Sequence, residues 1–208
     1  MSAGRYGKVV LATRNQHKLI ELRRMLEATG VELVGLDEVA PDGPELIEKE
    51  DTFAGNARSK ARQAAALADL PALADDSGLE VDALGGAPGV RSARYAGSHG
   101  DTAANTALVL EKLAGVPDEE RTARFRCVIA LYDPTSDGEG RERLFEGTCE
   151  GRIGHELRGK GGFGYDPVFL IPERGLTVAQ LSDAEKDAIS HRGQAVSKLK
   201  EFLEGRDR

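Results

Sequence analysis

From Lys8 to Leu36 the chain gives strand and helix signals in alternation, which rules out both an all-helical and an all-strand fold. Lys8 to Ala12 reads as a short buried strand. A polar turn comes next, then a helix carrying Leu19, Leu22 and Leu26 on one face with Gly30 as its stop, and then a second strand from Val31 to Leu36. An acidic, Pro-containing connector from Asp37 to Asp51 fits neither regular element, and loops of that length are often functional.

Thr52 is placed to cap a helix whose apolar face includes Phe53, Ala57, Ala61, Ala64 and Ala68. Asn56 and Lys60, four residues apart, share another face. Leu73 and Ala74 end an apolar stretch that meets Asp75-Asp76-Ser77-Gly78, and Leu79 to Asp82 alternates like a strand, so the two carboxylates are expected at a strand junction. Leu84 to Gly100 reads as an ordered loop, followed by a helix from about Asp101 to Gly115. Ala123 to Tyr132 and Glu142 to Glu150 read as an antiparallel hairpin, and Val168 to Ile171 as a further strand. Ser182 with Glu185 signals one C-terminal helix, and Ala195, Leu199 and Phe202 a second.

Composition narrows the classes of partner. With 208 residues, 40% hydrophobic, the chain can bury a sizeable core as one two-lobed domain over residues 1–208. Its 35 acidic and 28 basic residues leave a formal charge of -7, which provides no general basic field for a nucleic-acid backbone. The apolar runs are far shorter than the ~18 to 20 residues of a membrane span, so no membrane insertion is expected. Cys127 and Cys149 lack a zinc-site spacing, and no long apolar leader precedes the first strand, so a reduced, cytoplasmic protein is expected.

Several segments suit chemistry. Thr13-Arg14-Asn15-Gln16-His17-Lys18 opens a helix with backbone N–H groups and cations where an anion can bind, although in isolation an ordinary cap explains the same residues. Asp75 and Asp76 are costly to bury without a cation or hydrogen bonds. They read equally as a Mg²⁺ site, with Glu48 joining from the connector, or as a solvated turn.

Gly154 to Gly164 has the spacing of two phosphate-binding motifs and the context of neither. Gly161 replaces the hydroxyl residue that a P-loop needs for magnesium, and Tyr165-Asp166-Pro167 with an apolar strand replaces the helix that a dinucleotide fingerprint needs. The glycines instead deliver Phe163, Gly164, Tyr165 and Asp166, whose aromatic and carboxylate groups suit the face and edge of a base; a tight turn with core aromatics is the alternative. Lys186, Ser190, His191 and Arg192 cluster near helix boundaries as donors for oxygens of a base or phosphate, or as a solvated helix face.

Taken together, VVLATRNQHKLIEL, DTFAGNARSKA, ALADDSGLEVDALGGAPGVRSARYAG, ARFRCVIAL, GGFGYDPVFL and EKDAISHRGQA, in this order, resemble the inosine triphosphate pyrophosphatase family, especially its bacterial dITP/XTP pyrophosphatase members. The resemblance spans nearly the whole chain. It implies an α/β fold in which a long mixed sheet with flanking helices forms two lobes around a central cleft. It also implies a homodimer that hydrolyses ITP, dITP and XTP to the monophosphate and pyrophosphate with Mg²⁺.

By the same resemblance, Thr13, Arg14, Asn15, Gln16, His17 and Lys18 bind substrate phosphate and Lys60 is the phosphate-side lysine. Asp76 is the catalytic, metal-linked carboxylate, Glu48 the second metal ligand, and Ser77 a substrate contact. Phe163, Gly164, Tyr165, Asp166, Lys186, Ser190, His191 and Arg192 form the nucleoside-binding set, with Phe163 stacking on the base. Three positions depart from the family pattern. Arg14 replaces a common glycine, Gly55 stands where a glutamate often precedes Asn-Ala, and Glu48-Lys49-Glu50 replaces a Glu-x-Gly turn, so that Glu50 is an alternative to Glu48. These departures also motivate a second reading, a nucleotide-binding module without turnover.

Overall fold

The computed structural model describes residues 6–206 and places seven strands in one mixed sheet, in the order β2-β1-β3-β4-β5-β6-β7. β1 (Lys8–Leu11) pairs in parallel with β2 (Glu32–Gly35) and with β3 (Ala72–Val81). β4 (Thr122–Tyr132) neighbours β3 and β5 (Glu142–Ile153). β6 (Phe169–Ile171) pairs antiparallel with β5 and with the two-residue β7 (Leu176–Thr177). No helix among the described residues is long and apolar enough to cross a membrane.

The chain forms two compact units. One comprises the residues up to Asp76, Cys127–Glu146 and those from Gly193 on; the other comprises Ser77–Arg126 and Gly147–Arg192. In the first, α1 (Gln16–Leu26) buries Leu19, Leu22, Met25 and Leu26 with Val9, Leu11, Ile129 and Leu131 of the sheet. α6 (His191–Leu203) adds Ala195, Val196, Leu199 and Phe202 to the same core.

A four-residue helix α2 (Leu36–Val39) takes up the start of the expected connector, which then runs without regular structure to Thr52. α3 (Phe53–Ala68) begins where the sequence places it, with the Thr52 hydroxyl accepting the Gly55 N–H, and buries Phe53, Ala57, Ala61, Ala64 and Ala65. The connections β1-α1-β2 and β2-α3-β3 run in opposite directions across the sheet, so right-handed crossovers set α1 and α3 on opposite faces.

The second unit packs Leu79, Val81, Phe125, Ile153, Tyr165, Val168 and Phe169 into its own core with Val109 of α4 (Thr102–Lys112) and Leu113, which caps its C-terminus. Asp101 caps α4 through the Ala104 N–H, and Ser182 with Glu185 forms the expected capping box on α5 (Asp183–Ile189). Leu84 to Gly100 is an ordered loop containing a 3-10 segment, Gly89–Arg94.

One expectation fails. Asp75 to Gly78 is neither a junction nor a turn but the middle of the continuous ten-residue strand β3. Polar residues and a glycine disfavour a strand locally, and pairing with both neighbours together with flanking charge partners overrides that preference.

Candidate active site

Strand geometry sends adjacent side chains to opposite faces, so Asp75 and Asp76 meet different helices. Asp75 is buried, and both its carboxylate oxygens lie 3.0 Å from the Lys18 ammonium of α1. Asp76 meets α3: its Oδ1 accepts from Lys60 Nζ at 3.0 Å and its Oδ2 from Asn56 Nδ2 at 3.2 Å. Lys60 also donates to the Asp75 carbonyl and pairs with Glu48 Oε1, each at 2.7 Å. The connector therefore brings Glu48, and not Glu50, to the lysine. Glu50 contributes its backbone N–H to Asn56 Oδ1 at 3.0 Å.

Gly55 has a packing reason. A Cβ there would fall 2.7 Å from Glu50 Cβ and 3.0 Å from Thr52 Oγ1, so glycine lets the connector close onto the start of the helix.

On the α3 face Glu48 and Asp76 share the Lys60 ammonium, and on the other face of β3 Asp75 pairs with Lys18. Burial pushes the Asp76 carboxyl above the usual carboxylate range; Lys60 opposes the shift and the Glu48 charge adds to it. For Lys60, burial works against the charge, yet Asp76, Asp75 and Glu48 outweigh it and hold the ammonium protonated beyond its ordinary range.

Hard oxygen donors of Asp76 and Glu48, brought to one lysine, fit Mg²⁺, which takes one or two carboxylates and leaves its other positions to water or phosphate. Among the described residues no three His, Cys, Asp or Glu side chains gather into a complete cage, so Asp76 and Glu48 would hold such an ion only in part.

The β1–α1 loop is organised for anions at only some of its residues. Asn15 Oδ1 accepts the Lys18 N–H, and the Thr13 hydroxyl accepts the Asn15 N–H. Gln16 is exposed at the start of α1, and the side chain of His17 lies outside the described part of the structure. Arg14 turns away to the connector, where its guanidinium meets the Asp37 carboxylate and donates to the carbonyl of Gly43 at 2.8 Å.

The second unit gathers the other predicted residues. Phe163 is 41% exposed, with Lys186 Nζ 4.7 Å and the Arg192 guanidinium carbon 5.5 Å from its ring centre. Asp166 Oδ2 accepts both Lys186 Nζ at 2.9 Å and the Phe163 N–H at 3.0 Å, which fixes the glycine loop and one cation together. That approach requires Gly162, because at its φ of +71° a Cβ would lie 2.1 Å from the Asp166 carboxylate. Gly164 also adopts a positive φ, 63°.

Arg192 is buried and donates to Ser77 Oγ at 3.1 Å. His191 stacks on Phe125 at 4.8 Å, and the Ser190 N–H donates to the Lys186 carbonyl at the end of α5. Tyr165 is a core residue: its ring packs in the hydrophobic cluster and its hydroxyl donates to the Ser92 carbonyl at 2.8 Å. Asn56 is the residue that motif reading undervalued, although its i, i+4 relation to Lys60 put it on the face that reaches Asp76.

Comparison with known proteins places the chain in a family. A dITP/XTP pyrophosphatase from Desulforamulus reducens is 52% identical, covering 94% of this chain and 95% of its own. One from Geobacillus kaustophilus is 49% identical, over 95% and 94%. A HAM1 protein from Coxiella burnetii has a solved structure with a TM-score of 0.84 and 44% identity, over 94% of this chain and 98% of its own. The model of the Ham1 family matches residues 9–202, and the chain belongs to that family.

Proposed function

We propose that this protein hydrolyses the non-standard purine nucleotides dITP, ITP and XTP to the monophosphate and pyrophosphate, with Mg²⁺ as its cofactor. The observation that carries the reading is the buried Asp76 carboxylate, raised in pKa and held between Lys60 and Asn56 beside Glu48. A carboxylate poised in this way is suited to orient a water molecule and accept its proton as that water attacks the α-phosphorus. Asp76 and Glu48 would hold Mg²⁺, which when bound neutralises charge developing on the pyrophosphate leaving group. Lys18 and Lys60 add positive charge near the phosphates, and the Asn15-capped start of α1 offers backbone N–H groups.

The base is assigned to the second unit. Phe163 presents an open ring face for stacking, and Lys186 and Arg192 supply donors beside it. Hypoxanthine and xanthine carry a 6-oxo acceptor that suits those donors, whereas the 6-amino group of adenine would face them donor to donor. Tyr165 serves as the anchor of the loop from within the core, and Arg14 as a tie to the connector. Homodimerisation and a cytoplasmic location belong to the same proposal and rest on the family relation.

The test is pyrophosphate release from dITP, ITP, XTP, GTP and ATP, each with and without Mg²⁺, with Asp76→Asn as control. Magnesium-dependent turnover favouring the first three supports the reading. Tight ITP binding without turnover would identify a binding module, and equal turnover of ATP would overturn the assignment of base selection.

A further inference from the structure

The connector that carries Glu48 has no secondary structure, yet its backbone is held at defined points by one polar stripe of α3. Asn56, Lys60 and Gln63 recur at helical spacing on that stripe, with Ser59 beside them. Asn56 accepts the Glu50 N–H, and Lys60 takes the Glu48 carboxylate. Gln63 takes both backbone groups of Ile47: its Oε1 accepts the Ile47 N–H at 2.9 Å, and its Nε2 donates to the Ile47 carbonyl at 3.1 Å.

A side-chain amide has the same donor and acceptor pair as a peptide, so this reciprocal pairing stands in for a neighbouring strand. The Ile47 carbonyl belongs to the planar peptide that carries the Glu48 Cα, so holding that oxygen fixes the plane from which the Glu48 side chain starts. Gln63 Nε2 is itself oriented by the Ser59 carbonyl and hydroxyl, each 3.1 Å away. Ile47 is 51% exposed, so apolar packing of its side chain contributes little to holding this stretch.

We propose that Gln63 is a positioning residue for the reaction: its carboxamide clamps the Ile47 peptide and so aims Glu48 at the Asp76–Lys60 centre. The inference rests on the reading of Glu48 as a metal carboxylate. Gln63 bonds to Ile47 of the connector and to Ser59 of its own helix, so its influence on Glu48 runs through the connector.

Gln63→Met keeps length and helix preference and removes both hydrogen bonds. Residues that orient a metal ligand from outside typically change metal affinity by 10 to 100-fold, so the magnesium concentration for half-maximal turnover is expected to rise about tenfold. kcat at saturating Mg²⁺ falls by less than about twofold, because the ligand itself remains. In the metal-free protein, hydrogen exchange at the Ile47 and Glu50 amides speeds up about tenfold, while exchange in β3 is unchanged.

Faster exchange together with a raised magnesium requirement supports the clamp. Unchanged exchange overturns the clamp, and faster exchange with an unchanged magnesium requirement overturns its positioning role. If the unaltered protein hydrolyses no nucleotide, the proposed function fails separately. Mn²⁺ binding followed by electron paramagnetic resonance then decides the inference: about tenfold weaker binding in Gln63→Met supports it, and equal binding overturns it.

Discussion

The two clusters of charge in this protein are built on opposite plans. In the first unit Glu48 and Asp76 close on Lys60 between β3 and α3, and Asp75 closes on Lys18 of α1. In the second unit Lys186, held by Asp166, and Arg192 lie along a ring that is 41% exposed. Carboxylates brought together in this way suit a cation, and cations beside an open aromatic face suit a flat acceptor-bearing group. The contrast also separates the costs: in the first cluster a missing partner leaves buried charge uncompensated, whereas loss of the open Phe163 ring in the second leaves the buried Lys186–Asp166 pair in place.

The sharpest break of this contrast is Asp76→Asn, which keeps the shape and removes the base. Turnover should fall by roughly 10² to 10⁴-fold, the usual range for a positioned general base, while the metal-free variant still melts as a cooperatively folded protein. Wild-type turnover in the folded variant would remove Asp76 from the mechanism.

Next in size is Lys60→Met. It leaves Glu48 and Asp76 facing each other without their shared ammonium, and breaking such a buried arrangement costs about 3 to 5 kcal/mol. Urea unfolding measures this, and a loss under about 1 kcal/mol would show that the first cluster is no more demanding than a surface pair.

Phe163→Ala acts on the other cluster. It should weaken nucleotide binding by roughly 1 to 3 kcal/mol through lost stacking and leave stability nearly untouched, since the ring is exposed. Calorimetric titration with ITP and a thermal melt of the same variant test both halves; a stability loss larger than the binding loss would make Phe163 a structural residue.

The smallest effect is a pH dependence. Because burial raises the Asp76 carboxyl in the fold, the folded chain holds that proton more tightly than the unfolded chain does. The contribution is therefore fully favourable below the ordinary carboxylate value of about 4, and it is lost as pH rises through the higher folded value. Without metal, wild type should lose stability relative to Asp76→Asn as pH rises above about 4. Parallel urea titrations in chelator measure it, and a difference that stays constant with pH would contradict the raised value.

Local signals place most elements. Thr52, Asp101 and Ser182 start helices because a short side-chain oxygen at the right offset satisfies a free N–H, which is chemistry contained within a few residues. Gly154 to Gly164 is legible as neither phosphate motif, because the chain beyond it enters strand β6 where a phosphate-binding loop would open a helix. Asp75-Asp76-Ser77-Gly78 looks like a junction in the sequence because its strand state depends on Lys18 and Lys60, which lie 57 and 16 residues from the aspartates they bind. The two residues of β7 are too few to leave a periodic pattern.

Sequence alone determined the order of strands and helices, the family resemblance and nearly all the residue types at the candidate site, because spacing, capping and motif are properties of neighbouring positions. Tertiary structure decided which chemically equivalent group does what. It paired Glu48 with Lys60, sent Arg14 to the connector, placed Tyr165 in the core and made Asn56 and Gln63 the holders of an irregular segment. These choices rest on hydrogen bonds and ion pairs between residues far apart in the chain, whose energies depend on distance and burial and leave no mark on local sequence.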